Sequence, residues 1–281
     1  LTVNLAQATA NGGMHIEDGR LVVLGDQVDG NNGKTVNGGF IYNGPHDLSA
    51  ISAGANGILS VALYGNVANN VFDSSALTLA EDFTGTLEVT HGYLLIHYND
   101  STKSTLGGTA KIRLDGGGVA LYGNDVLDKA IEVGAKGGWL LGRAAGNEYS
   151  GNISGAGNMT LVSHWSGDVL TFSGSMTLED YTGQDENGAA TTAKSNLVKK
   201  GDSVVYITGA DNNINISGGV IAEAGQLVFQ NQQNLLHSLT VNGSSTVTLE
   251  KNATIGSLTL NTGTLVVGTD DAAAAVSFTD T

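Results

Sequence analysis

The stretch that decides the fold spans residues 197–229 and reads LVKKGDSVVYITGADNNINISGGVIAEAGQLVF. Apolar residues alternate around Val204 and Tyr206, as is typical of a β-strand, and the alternation stops at Gly209. A polar, asparagine-rich loop follows, and a second short apolar run closes the stretch. Each strand has one apolar face that the unit cannot bury alone, so copies of such a unit must stack on one another.

Strand-like triplets recur at a regular spacing near the end of the chain, centred on Thr240, Thr248, Thr259 and Val266. Every second triplet therefore lies 19 or 18 residues further along the chain. Such a return predicts one coil of a narrow parallel solenoid, with Thr240 beside Thr259 and Thr248 beside Val266. The Asn-Gly dipeptide at 242–243 also favours a hairpin, so an antiparallel meander is the alternative.

Composition agrees with thin stacked layers. The 281 residues include 41 glycines, one proline and no cysteine, and aromatic residues make up 6% against 41% hydrophobic residues. The core must therefore be built from Val, Leu, Ile and Ala, which favours a solenoid over a sandwich. The absence of cysteine excludes a disulfide framework and thiol catalysis. We predict an all-β fold, a right-handed parallel β-helix or β-solenoid with inserted loops, as a single domain over residues 1–281.

Three segments break the repeat. Residues 25–55 and 92–103 are predicted to be insertions, which on a solenoid project from one face and often form its binding surface. Residues 180–194 have no apolar period, which predicts an exposed loop. Only residues 124–133 have apolar side chains at helical spacing.

The net charge of −15, from 27 acidic and 12 basic residues, disfavours nucleic acid and anionic membrane surfaces as partners, because both require a basic surface. The sequence contains no signal peptide and no apolar run long enough to span a bilayer. We therefore expect no nucleic-acid partner and no membrane insertion within this chain.

Residues 197–229 resemble the autotransporter-associated β-strand repeat of bacterial passenger domains, whose pattern runs roughly L-x-K-x-G-x-G-T-L-T-L-S-G-x-N and then A-G-T-L-x-V. The positions that match are Leu197, Lys199, Gly201, Val205, Ile207, Gly209, Ala224, Gly225 and Leu227. The chain departs from the pattern at Asp202-Ser203 and lacks the tyrosine usual in the middle loop. The resemblance implies a secreted or outer-surface protein with an adhesive or structural role, presenting loops to a host glycoprotein or glycan. It implies a scaffold rather than an activity.

A secreted hydrolase with carboxylate catalysis, acting as an aspartic-type peptidase or a glycosidase on mucin-type glycoprotein, is the alternative function. Two acidic groups brought together can split their pKa values and serve as acid and base. Asp115 ends an alternating strand and precedes glycines, as in the Asp-Thr/Ser-Gly loop of aspartic peptidases, although Gly116 stands at the hydroxyl position. Asp18, beside Glu17 and Gly19 at a strand end, is the second catalytic candidate.

Aromatic rings can stack on sugars through their faces. The candidate ligand-binding residues are Tyr93, His97, Tyr98, Tyr122 and Trp165. Tyr181 is a further aromatic candidate, whereas Trp139 is predicted to lie in the core or to cap a coil.

Asp26, Asp29 and Asn31 supply several oxygen ligands within a short loop, which makes them a candidate Ca²⁺ site. The loop does not match EF-hand spacing and lacks the bidentate glutamate, so a solvated turn is the alternative. Phosphate-loop, dinucleotide and zinc-protease motifs are absent from the sequence. No cofactor is expected.

Overall fold

The computed structural model describes residues 13–24, 35–37, 40–62, 72–99, 102–163, 167–184, 190–269 and 272–279. The chain divides into two compact units, Leu1–Tyr122 and Gly123–Thr281. Throughout the described ranges the regular secondary structure is β-strand, without an α-helix.

The described residues of the first unit form ten strands, eight of which build two parallel sheets. The strands are β1 (Met14–Leu24), β2 (Thr35–Asn37), β3 (Phe40–Leu48), β4 (Ile51–Ala62), β5 (Phe72–Leu79), β6 (Thr86–His91), β7 (Tyr93–Asn99), β8 (Thr102–Lys103), β9 (Lys111–Leu114) and β10 (Gly118–Leu121). One sheet has the order β1-β4-β6-β9, and the other has the order β3-β5-β7-β10. The short strands β2 and β8 pair antiparallel with β3 and β7.

Equivalent residues of successive strands form apolar rows on the inner face of the first sheet. Leu59 pairs with Leu87, which pairs in turn with Ile112, and all three are fully buried. Because side chains alternate between the two faces of a strand, the residues between them, such as Glu88, lie on the outer face. This alternation within a parallel register explains why one apolar residue in two is enough to build the core.

The described residues of the second unit form three parallel sheets and a hairpin. Its strands are β11 (Val126–Leu127), β12 (Ala130–Val133), β13 (Gly138–Gly142), β14 (Asn147–Tyr149), β15 (Ile153–Ala156), β16 (Met159–Ser163), β17 (Val169–Phe172), β18 (Met176–Glu179), β19 (Tyr181–Gln184), β20 (Ala190–Ala193), β21 (Asn196–Lys200), β22 (Val204–Ile207), β23 (Ile214–Ile216), β24 (Gly219–Ala222), β25 (Gln226–Phe229), β26 (Gln233–Asn242), β27 (Thr246–Leu249), β28 (Ala253–Asn261), β29 (Thr264–Val267) and β30 (Val276–Phe278).

The strand orders within this unit are β12-β15-β18-β23, β13-β16-β21-β24-β26-β28-β30 and β11-β14-β17-β22-β25-β27-β29. Outside the β19–β20 hairpin, consecutive strands along the chain belong to different sheets, and the chain returns to a sheet one coil later. This is the topology of a parallel β-helix, and the predicted fold class is confirmed. The rings and branched side chains of one interior row stack coil upon coil, each fully or almost fully buried: Tyr149, Phe172, Ile207, Phe229 and Leu249.

The predicted register is confirmed at both positions. Thr240 pairs with Thr259, and Thr248 pairs with Val266, each in parallel strands. Gly243 takes a positive φ of 55° in the corner between β26 and β27, which lie in different sheets. The antiparallel meander is therefore wrong for this region, because the Asn-Gly dipeptide turns the chain around a corner instead of folding it back.

Several segments differ from the sequence-based expectation. Within the predicted insertion 25–55, β3 and the start of β4 are strands of the two sheets, and within 92–103 the strand β7 pairs with β5 and β10. Residues 124–133 form two short strands instead of a helical turn, and Asn124 takes a positive φ of 58°. Helical spacing of apolar residues arises here because a corner resets the in-out alternation.

The asparagine-rich loop of the opening stretch forms a corner in which Asn213 is buried. Asn213 donates from Nδ2 to the carbonyl of Thr208 at 2.8 Å, and Asn231 donates to Asn213 Oδ1 at 2.9 Å. Gln233 continues the ladder by donating to Asn231 Oδ1 at 2.8 Å, and all three amides are buried. These side chains satisfy backbone carbonyls that the turning chain cannot pair, since buried polar groups require partners.

Candidate functional site

The two candidate catalytic carboxylates lie far apart. Asp18 is exposed on β1, and Asp115 lies in the corner that follows β9, three strand spacings away in the same sheet. Arg20, two residues after Asp18, shares a row with Lys111, four residues before Asp115. The separation is about 14 Å across the sheet and about 20 Å along it. A glycosidase or aspartic-peptidase pair requires carboxyl groups within about 10 Å of each other, so this register does not form one.

The backbone geometry and close packing of the corner account for the glycines that follow Asp115. The amide of Asp115 donates to the carbonyl of Val89 at 3.1 Å, and Gly116 has a φ of 104°, which favours glycine. A Cβ added at Gly117 would lie 2.6 Å from a methyl group of Val89. Close contact with the preceding coil therefore accounts for the glycine run that resembled a substrate-binding loop.

Tyr93 and Tyr122, two of the aromatic candidates of the first unit, offer little surface to a ligand. Tyr93 is 6% exposed and Tyr122 is 9% exposed, and burial raises the pKa of the Tyr93 phenol. His97 is half-buried in β7, where it pairs with Leu121, and Tyr98 belongs to the same strand. Since a ring must expose a face in order to stack on a sugar, Tyr93 and Tyr122 cannot do so in this conformation.

Four of the candidate residues lie outside the described residues: Trp165 among the aromatics, and Asp26, Asp29 and Asn31 of the candidate Ca²⁺ loop. Within the described ranges, no group of three or more His, Asp or Glu side chains is arranged to hold a metal ion.

Trp139 does not lie in the core, which was one of the two positions predicted for it. It is partly exposed on β13, and the Lys200 ammonium lies 5.4 Å from its ring centroid. Lys200 also pairs with Glu223, Nζ to Oε2, at 3.3 Å. The ring thus lies on the outer face of its sheet, where a cation occupies one side of it.

The most distinct feature of the second unit is the hairpin formed by β19 and β20. These strands pair antiparallel with each other and with no strand of the three sheets, in the part of the chain predicted as an exposed loop. Thr182, Thr191 and Thr192 are exposed along it, and Tyr181 at its base is partly exposed. We call the segment 180–194 the hairpin.

Ser195 closes the base of the hairpin. Its hydroxyl donates to the carbonyl of Glu179 and accepts from the amide of Gly157 at 2.7 Å, and Ser195 is fully buried. Its amide in turn donates to Ser217 Oγ at 3.1 Å. One buried serine therefore joins both ends of the hairpin to the coils on either side.

A surface ion pair reinforces this closure. Lys194 Nζ lies 2.9 Å from Asp180 Oδ2, and hydrogen bonds from Lys194 and from Ser217 lower the pKa of the Asp180 carboxyl. The sequence singled out Tyr181 but not these anchoring residues. The opposite charges that flank the polar segment, Asp180 and Lys194, were the signal that could have identified the two ends of a hairpin.

The described strands define a parallel β-helix protein that carries an antiparallel hairpin. No protein-family model, curated protein or solved structure matches this chain. In the described ranges there is no helix with the length and apolarity needed to cross a bilayer.

Proposed function

We propose that this protein is a secreted or outer-surface β-helix scaffold that binds an extracellular glycoprotein or glycan through the hairpin. The observation that carries the proposal is that the described strands of the hairpin pair with no strand of the three parallel sheets and expose Thr182, Thr191 and Thr192. A segment that adds nothing to the coil interior is free to serve recognition, as loops on rigid scaffolds commonly do. The resemblance of residues 197–229 to passenger-domain repeats supports a place outside the cell.

The chemistry of the hairpin suits a carbohydrate. Tyr181 pairs with Ala193, whose methyl group leaves room beside the ring, and Thr182 pairs with Thr192. An aromatic face next to hydroxyl groups can stack on a sugar ring and exchange hydrogen bonds with it. The two strands are also free of charged side chains in their described part, which suits a neutral ligand better than an ionic one.

The net charge of the protein further restricts the class of ligand. At a net charge of −15 the protein repels strongly acidic glycans at low ionic strength. We therefore propose a neutral glycan, or the neutral sugar portion of a glycoprotein, as the ligand class.

Binding of the purified protein to an array of neutral and acidic glycans tests the proposal. Tyr181→Ala should weaken binding to the best neutral glycan about tenfold, the upper range for one aromatic contact. Tyr206→Ala, which removes a partly exposed tyrosine from the flat face of β22, is the matched control and should leave binding unchanged.

A second variant replaces residues 181–193 by Gly-Gly while keeping Asp180, Lys194 and Ser195. It should abolish binding and retain the β-rich circular dichroism spectrum, because the coils close without the hairpin. Glycan binding that survives this replacement would place the ligand elsewhere and refute the proposal.

A further inference from the structure

A serine, a histidine and a glutamate form a hydrogen-bonded relay on the outer face of the first sheet. Ser52 Oγ lies 2.7 Å from His15 Nδ1, and His15 Nε2 lies 3.0 Å from Glu17 Oε2. The Ser52 hydroxyl has the carbonyl of Met14 as a second, more distant acceptor at 3.4 Å. The shorter contact makes His15 the better acceptor of the serine proton.

The register of β1 and β4 brings these residues together across 37 positions of the chain. His15 pairs directly with Ser52, and Glu17 follows His15 by two residues on the same strand. The Glu17 carboxylate lies above Gly54, because a Cβ added at Gly54 would be 3.6 Å from Glu17 Oε2. A larger residue at position 54 would narrow the space that Glu17 uses to reach the imidazole.

The relay borders a surface depression of about 420 Å³. His15, Ser49, Ser52 and Asp82 line it together with main chain and small residues around Gly13 and Ala50. A small ester fits this volume, and the carboxylates of Asp82 and Glu17 favour a neutral or cationic substrate over an anionic one.

From this geometry we infer that Ser52 is a nucleophile for acyl transfer, with His15 as its general base and Glu17 as the group that orients the imidazole. A base within hydrogen-bond reach of a hydroxyl and held by a third group is the arrangement that activates serine. The ring nitrogens are used in the opposite sense to the chymotrypsin triad, but the proton path is equivalent, because either nitrogen can accept while the other donates.

The reaction is ester hydrolysis. Ser52 Oγ attacks the ester carbonyl while its proton passes to His15 Nδ1, and collapse of the tetrahedral intermediate breaks the bond to the alcohol oxygen, which takes that proton. Water then loses a proton to His15 and attacks the acyl-serine. The carboxylic acid leaves, the proton returns to Ser52 Oγ, and the net reaction is ester plus water to acid plus alcohol.

The solvent exposure of His15 and Glu17 limits the rate of ester hydrolysis that the relay can support. The side chains of His15 and Glu17 are 51% and 87% exposed, so water screens the attraction between the carboxylate and the imidazolium that forms during the reaction, and the glutamate contributes little beyond orientation. We therefore expect slow turnover of activated aryl esters, whose leaving group needs little assistance. Loss of His15 should have a far larger effect than loss of the Glu17 charge.

Covalent labelling with a fluorophosphonate, followed by peptide mass analysis, tests the proposal in the full chain. The modification should appear on Ser52, and His15→Ala should slow labelling by about 10²-fold or more. Glu17→Gln should slow it only a few-fold. Hydrolysis of p-nitrophenyl acetate should fall to the level of buffer plus free imidazole in Ser52→Ala.

Ser175→Ala is the matched control, because Ser175 is an exposed serine outside the depression whose hydroxyl donates to Asn152 and not to a histidine. It should leave labelling and hydrolysis unchanged. Failure to modify Ser52, equal modification of Ser49 and Ser52, or labelling that is unaffected by His15→Ala would overturn the inference, provided that circular dichroism shows each variant folded. None of these outcomes bears on glycan binding by the hairpin.

Discussion

Two buried charges in this protein, Lys199 in the second unit and Glu88 in the first, are neutralised in different ways. Lys199 points into the coil interior, between Leu161 and Ala222 of the neighbouring strands. Its ammonium donates to three backbone carbonyls, those of Lys200 at 3.0 Å, Gly201 at 2.6 Å and Ala224 at 2.9 Å. The corners of two successive coils aim their carbonyl dipoles at the ammonium, and the charge of Asp202 also favours its protonated form.

Glu88 lies on the outer face of its sheet and forms ion pairs with arginine side chains. Arg20 Nη1 approaches Oε2 at 2.9 Å, Arg113 Nε approaches Oε1 at 3.4 Å, and Ser60 donates to Oε2 at 2.6 Å. Glu88 is fully buried, whereas Arg20 and Arg113 keep 44% and 32% of their side chains exposed. The long arginines thus cover the carboxylate and keep their own contact with water.

The difference shows how position in a coil decides the partner. Inside the β-helix, backbone carbonyls at the corners accept the hydrogen bonds, and a lysine ammonium can donate three of them. On the outer face, Ser60 and Arg113 share the row of Glu88, and Arg20 reaches the carboxylate from the row of Lys111, so an ionic cluster can form. In both places the charged group ties successive coils together.

Removing both arginines should have the largest effect. The double variant Arg20→Ala, Arg113→Ala leaves Glu88 buried without a counter-charge, which costs about 3–5 kcal/mol of unfolding free energy. Each single variant should cost less, because one guanidinium remains. Urea denaturation measures this, with the exposed Lys251→Ala as a control that should stay within about 0.5 kcal/mol of the parent. If the double variant is as stable as the less stable of the two single variants, water must reach the Glu88 carboxylate.

Lys199→Met should have a smaller effect, about 2–3 kcal/mol, the cost of one or two unsatisfied carbonyls. The methionine fills most of the space, so the loss reports the missing hydrogen bonds. Lys200→Met, on the outer face of the same strand, removes a partly exposed ion pair and should cost about 1 kcal/mol or less. A Lys199→Met protein as stable as the parent would mean that the corner carbonyls are hydrated without the ammonium.

The pH dependence of stability tests the buried charge of Lys199 directly. Burial lowers the pKa of Lys199 to about 8, against 10.5 for an ordinary lysine, while Asp202 opposes the shift. Between these values the unfolded chain binds the additional proton, so the contribution of Lys199 to stability increases as the pH rises from about 8 towards 10.5. The buried Tyr93, whose pKa is raised, acts in the opposite direction above about pH 10.

The parent and Lys199→Met should therefore be compared from pH 7.5 to 10 by chemical denaturation, because all other groups cancel in the difference. The stability of the parent relative to the variant should rise over this range. A constant or falling difference would contradict the depressed pKa of Lys199.

The sequence predicts the coil register better than it predicts burial. Regular spacing of apolar triplets places Thr240 beside Thr259, because one coil length fixes the pairing. The same pattern makes Leu258 and Leu260 candidates for burial, yet Leu258 is partly exposed and Leu260 is 49% exposed, while Leu239 of the preceding coil is fully buried. An inward position is buried only when another coil covers it, and a local pattern does not contain that information.

The candidate sites were less predictable for the same reason. His15 and Ser52 meet only through the parallel register of distant strands, with an irregularity just after His15 that no short motif reveals. Tyr93 is an aromatic residue of the kind that binds sugars, but it lies in a buried row. Conversely, the match of Lys199 to a repeat position is visible in the sequence, whereas its three carbonyl partners emerge only from the folded corners.

The parallel coil register is the central claim, since every site described above depends on which strands are neighbours. The chain has no native cysteine, so nitroxide labels can be attached to introduced cysteines at chosen pairs. Continuous-wave EPR of Thr240→Cys with Thr259→Cys, and of Thr248→Cys with Val266→Cys, should show strong dipolar broadening, because paired strands lie about 4.8 Å apart. The pair at 240 and 248, which belongs to different sheets, should show much weaker broadening. Strong broadening at 240 and 248 with none at 240 and 259 would contradict the parallel β-helix and restore the antiparallel meander.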